Sequence, residues 1–183
     1  MRNILKTGRW KLALIVIFAT AVAGTKAEVI ESSETGFLSR NEAVINAAPV
    51  EVYGALIDRI AGWWDPAHTF SGDSQNLSIE PKAGGCFCER LPNNGGVRHL
   101  TVVFLSPGKE VRLTGALGPL QQSGLAGSMT WKLSAEGGTT KVELSYSVGG
   151  YHRGGLRGLA SPVDSVLRGQ LLRLKSYIET GRP

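Results

Sequence analysis

Residues 126–181, AGSMTWKLSAEGGTTKVELSYSVGGYHRGGLRGLASPVDSVLRGQLLRLKSYIETG, change hydrophobic period once, and that change decides the fold. Met129, Trp131 and Leu133, then Val142, Leu144, Tyr146 and Val148, recur at every second position, with Lys132, Lys141 and Glu143 between them. A period of two puts the apolar set on one face of paired strands, and Glu136-Gly137-Gly138 supplies the turn. After Ser161 the spacing becomes four, four, three and four through Val163, Leu167, Leu171, Leu174 and Ile178, which is one stripe of a helix. Ser161 is read as its N-cap, Pro162 as its first residue, Asp164 as an acid favoured by the helix dipole, and Gly181 as its stop.

Upstream, the period of two continues in segments at about 77–82, 85–91, 98–106 and 110–117. Ala83-Gly84, Pro92-Asn93-Asn94-Gly95-Gly96 and Pro107-Gly108 separate them, and such short gaps predict antiparallel hairpins. Earlier still, a strand is expected over about 37–47. Pro49 suits a helix start, and Val52, Tyr53, Leu56, Ile57 and Ile60 follow at helical spacing. Gly62 and Pro66 interrupt, leaving room for a second short helical turn around Trp63 and Trp64. The order strand, helix pair, six strands, long helix predicts an α+β fold: an antiparallel sheet with its helices on one face.

The chain has 183 residues, 42% hydrophobic and 19% charged, enough for one buried core and too apolar for a disordered tail. Its formal charge of +5 is confined to the first 27 residues, where Arg2, Lys6, Arg9, Lys11 and Lys26 meet no acid. The remaining 15 cations balance 15 acids, so no basic surface exists to hold a polyphosphate, and nucleic-acid binding is not expected. The same 27 residues place a 13-residue apolar run, Leu12 to Gly24, behind the cations and before small residues, the layout of a secretory signal peptide. Cleavage is expected after Ala27, with Ala23 the competing position, and the run is shorter than the roughly 20 residues of a membrane span. The expected organisation is therefore a signal peptide over 1–27, a loose polar lead-in over 28–36 and a globular domain over 37–180. The mature protein is expected in the periplasm or secreted, without a stable membrane anchor.

The β-α-α-β(6)-α order resembles the START-like superfamily with its helix-grip fold, on its polyketide cyclase/dehydrase-like and chaperone-ATPase-activator-like side. The resemblance rests on Trp63-Trp64, Ser71-Gly72-Asp73, Gly84-Gly85 through Glu89, and GALGPLQ at 115–121, and it covers about residues 37–180. It implies a sheet wrapped around the long carboxy-terminal helix, with an apolar or aromatic small molecule, or a lipid, held between them. It also leaves room for a cyclase or dehydratase using the same cavity, and for a protein-interaction module.

Several residues could carry such functions. Glu89 shares the core side of its hairpin with Phe87 and Leu91, facing Leu100, Val102 and Phe104, and a carboxylate there needs a partner or a raised pKa. It is the best acid/base candidate in the chain, and a structural ion pair with Arg98 is the reading favoured over it. Trp63, Trp64, Phe70 and Phe87 are the first candidate ligand contacts. Trp131, Tyr146 and Tyr151 are the others, although each aromatic is individually a usual core residue. Cys86 and Cys88, two apart, share a face but sit too far apart for a bridge unless the backbone is distorted, so two unbonded thiols are expected. The alternatives are a mutual disulfide and a metal site with His99 as third ligand. No G-x-S-x-G, phosphate loop, H-E-x-x-H or dinucleotide glycine pattern occurs, so no metal, nucleotide or other cofactor is called for.

Overall fold

The computed structural model describes residues 26–183, so the basic leader and its apolar run lie outside the described residues. The chain begins with β1 (Lys26–Ser32), β2 (Gly36–Ile45), α1 (Pro49–Asp58) and α2 (Ile60–Trp63). Six strands follow: β3 (Leu77–Ile79), β4 (Cys86–Arg90), β5 (Gly96–Ser106), β6 (Glu110–Thr114), β7 (Gly124–Glu136) and β8 (Thr139–Tyr151). The last element is α3 (Ala160–Thr180). All eight strands form one antiparallel sheet in the order β1-β2-β8-β7-β6-β5-β4-β3. This is the expected α+β, helix-grip architecture.

The period of two translates directly into pairing. Trp131 lies opposite Leu144, Met129 opposite Tyr146 and Leu133 opposite Val142, all on the buried face. Val111 and Leu113 of β6 extend that face beside Trp131 and Met129. The helices cover it. Leu167, Leu171 and Leu174 of α3 are buried with Val52, Leu56 and Ile57 of α1, and each such side chain contributes about 1.5–3 kcal/mol by leaving water. Gly127 is required on β7, because a Cβ there would stand 2.7 Å from the Tyr146 ring and 2.6 Å from the Gly115 carbonyl.

Two local expectations are corrected. The lead-in over 28–36 is not loose: through Ser32 it belongs to β1, and the Ser33 amide then closes a turn on the Gly36 carbonyl at 2.8 Å. Edge strands bury little, so a polar sequence is compatible with one. Ser161 is not the cap of α3, because a 3-10 turn at Arg157–Leu159 runs straight into the helix and no side chain caps it. Asp164 instead faces β2, where its carboxylate accepts hydrogen bonds from Ser39 Oγ at 2.6 Å and Asn41 Nδ2 at 3.0 Å. Gly181 ends the helix in the left-handed region, as expected.

Candidate functional site

A cavity of about 390 Å³ opens beside the first half of α3. One wall is the segment 67–70, another is the loop at 117–120, and Leu159 with Pro162, Val163, Val166 and Leu167 of α3 forms the third. Trp64 and His99 complete the lining from within. Almost all of this surface is apolar. The other polar side chains of the lining, His68 and Thr69, belong to the 67–70 wall, where Thr69 is half-buried and His68 exposed.

His99 reaches the cavity because β5 bulges. Phe87 pairs with Leu100 but Cys88 pairs with Arg98, so His99 is an extra residue on β5 and turns inward beside Leu100. A regular hairpin would place it on the outer face with the cysteines. Once inside, its Nε2 meets Glu89 Oε2 at 2.9 Å, and both side chains are buried. The backbone N–H of Phe70 donates to Glu89 Oε2 at 3.0 Å, and the N–H of Ser71 donates to Oε1. Burial pushes the Glu89 carboxyl up, but the hydrogen bonds from Ser71, Phe70 and His99 outweigh it and hold the group below the usual carboxylate range. Glu89 is therefore ionised and can only accept, which places a proton on Nε2 of His99. Burial pulls the His99 imidazole below its usual pKa, against the opposing pull of Glu89, so the ring is neutral near pH 7. Nδ1 carries its lone pair.

The candidate residues divide. Glu89 is paired, but with His99 and two backbone amides rather than with Arg98. Trp64 and Phe70 line the cavity, and Phe70 is 51% exposed at its edge. Phe87 stands one layer behind, its ring 5.0 Å from that of His99 and 5.3 Å from that of Trp64. Trp63 and Trp131 are core residues 6.1 Å apart, bordering only a gap of about 10 Å³. Tyr146 is fully buried, its hydroxyl donating to the Gly115 carbonyl and accepting from the Leu117 N–H, both at 2.9 Å. It supports the 117–120 wall from below. Tyr151 is 75% exposed at the end of β8, outside the lining.

Cys86 and Cys88 form a disulfide with each other, which corrects the expectation of two unbonded thiols. The distortion that such a bridge needs is present: the two Cα atoms are 5.3 Å apart, against about 6.6 Å for alternate residues of a regular strand. That span lies inside the usual disulfide range. The bridge sits on the outer face at the bulge, opposite His99, and among the described residues no cluster of three metal-ligating side chains occurs.

The sequence reading missed His99 as an inward group, together with Val163, Val166 and the 117–120 wall. The apolar stripe of α3 already contained Val163, and the glycines at 115 and 118 marked the wall as a loop. Nothing in the alternation marks the bulge.

No family model and no curated protein matches the sequence significantly. Solved structures do match in shape. DynU16, a protein of the dynemicin biosynthetic locus, superposes with a TM-score of 0.58 at 20% identity over 80% of this chain and 48% of its own. The Aha1 dimer from Colwellia psychrerythraea gives 0.56 at 21% identity over 79% of this chain and 97% of its own. CalU16 from Micromonospora echinospora gives 0.52 at 19% identity, over 88% and 84%. The chain thus shares the helix-grip fold of these proteins, and likeness at this level of identity extends to the fold alone.

Proposed function

We propose that this protein binds an apolar small molecule in the cavity between α3 and the end of the sheet. The observation that carries the reading is the cavity itself: about 390 Å³ within the usual size of ligand sites, apolar in its lining, with one buried polar side chain, His99, converging on it. Acid–base catalysis in the same space is the second reading, favoured by the carboxylate-oriented imidazole at 2.9 Å. Nile red is a suitable probe because it is apolar and its fluorescence reports desolvation. Saturable binding that is weakened by Val163→Trp, which fills the cavity from α3, is the expected result. A wild-type protein that leaves Nile red unchanged refutes the reading.

We further propose that the protein acts outside the cytoplasm, supported by the acid-free basic leader and its 13-residue apolar run. Amino-terminal sequencing from the native host tests this. A start near Glu28 or Gly24 is expected, and an intact Met1 in a cytoplasmic fraction overturns it.

A further inference from the structure

The geometry points to a ligand of a particular chemical class: we infer that the cavity selects an apolar molecule carrying a hydroxyl group, which donates its hydrogen to Nδ1 of His99. This inference rests on the ligand-binding reading and adds the identity of the polar contact. Nε2 is occupied by Glu89, and Nδ1 has no hydrogen-bond partner among the described residues. It is not sealed inside the protein either, since Asn41 Oδ1 is the buried side-chain atom left without a partner there, whereas His99 borders the cavity.

The proton inventory then fixes what the ligand must bring. An ionised carboxylate offers only acceptors, and the Phe70 and Ser71 amides already donate to it, so Nε2 keeps its hydrogen and Nδ1 is left as an acceptor. A ligand carbonyl or ether would place two lone pairs face to face. A ligand with no polar atom would leave Nδ1 desolvated and unpaired, which penalises binding. A hydroxyl satisfies it. The ring cannot turn to hide the nitrogen: it is packed between Phe87, 5.0 Å away, and Phe70, 5.8 Å away, and tethered through Nε2.

Three naphthalenes of nearly equal size separate the possibilities: 2-naphthol, 2-methylnaphthalene and 2-methoxynaphthalene. Their affinities are compared for the wild type and for His99→Phe, which keeps an aromatic ring and removes Nδ1. The advantage of 2-naphthol over the methyl compound should fall by about tenfold in the variant, the size of one ordinary hydrogen bond. Because His99→Phe also frees Glu89 and can unfold the chain, a second readout uses wild-type protein with ¹⁵N-labelled histidine. The Nδ1 resonance of His99 should shift on adding 2-naphthol and stay in place with 2-methylnaphthalene. If 2-naphthol and 2-methylnaphthalene both bind but their ratio is unchanged in His99→Phe, if 2-methoxynaphthalene binds the wild type as well as 2-naphthol does, or if Nδ1 does not respond, the hydroxyl contact is refuted while the cavity reading stands. If no naphthalene binds the wild type, both fall together.

Discussion

Replacing Glu89 by Leu should unfold a substantial part of the protein's stability margin, and the size of the effect follows from the donors left behind. Three N–H groups converge on this carboxylate: His99 Nε2, the Phe70 amide and the Ser71 amide. A buried donor without an acceptor costs about 1–3 kcal/mol. His99 is 4% exposed and carries the full penalty, whereas the two amides lie in the partly exposed 66–71 segment, where water can replace the carboxylate. Counting them at the low end gives about 3–5 kcal/mol in total, the range measured when one partner of a buried pair is removed. That is a large part of a typical domain stability of about 5–15 kcal/mol. Urea unfolding at pH 7 measures it as a lower midpoint at unchanged slope. The double variant Glu89→Leu/His99→Phe supplies the control. It removes the largest orphaned donor with its acceptor, so it should be less destabilised than the sum of the two single variants by about 1–3 kcal/mol. A single-variant loss below about 1 kcal/mol, or strict additivity in the double, would refute the pairing on which the site is built.

Trp131→Ala should cost about 3–5 kcal/mol in the same assay without any selective effect on probe uptake, because Trp131 lies in the core and not on the cavity; a small loss would place it against open space instead. Alkaline stability should fall between about pH 10 and about 12. The buried Tyr146 hydroxyl is pushed up from 10.0 to about 12, so within that window the folded chain holds a proton that the unfolded chain has released, and Tyr146→Phe should flatten the decline. On the acid side Glu89 and His99 are both held below their ordinary values, so the unfolded chain binds more protons and stability should drop as pH falls below about 6.5, then further below about 4.5; a flat profile from pH 7 to 4 contradicts this. Alkylation of denatured protein without reductant should label no thiol and two after reduction, since Cys86 and Cys88 are bridged; two labels before reduction would contradict the bridge.

The elements that could be read from the sequence are those whose burial is regular. Strands β4, β6, β7 and β8 and the stripe from Val163 to Ile178 each present one regular face to the core, so alternation and helical spacing report them faithfully. β1 escaped because an edge strand can be polar, and the start of α3 escaped because a 3-10 turn, not a side chain, leads into it. The site escaped for a different reason. One extra residue on β5 reverses the face of His99, so the alternation that located Glu89 on the inner face assigned its partner to the outer one. The same local irregularity misled the reading of the cysteines, which assumed a regular strand. Aromatic composition was also a poor guide to the cavity. Large rings are the usual filling of a core, and Trp63, Trp131 and Tyr146 are used in that way.

Most of the cavity wall stands apart from the sheet. Apart from His99, its lining comes from the 67–70 segment, Trp64, the 117–120 loop, Leu159 and the face of α3, none of which takes part in strand pairing. Substitutions at its exposed positions, such as Ala67, His68, Phe70 and Pro119, can reshape the enclosure while every rung of the sheet stays intact, whereas Trp64, Leu120 and Leu167 also belong to the core. His99 is the exception, held on a bulged strand and gripped by a buried carboxylate. The rim can therefore change without touching the imidazole, which the sheet itself holds in place.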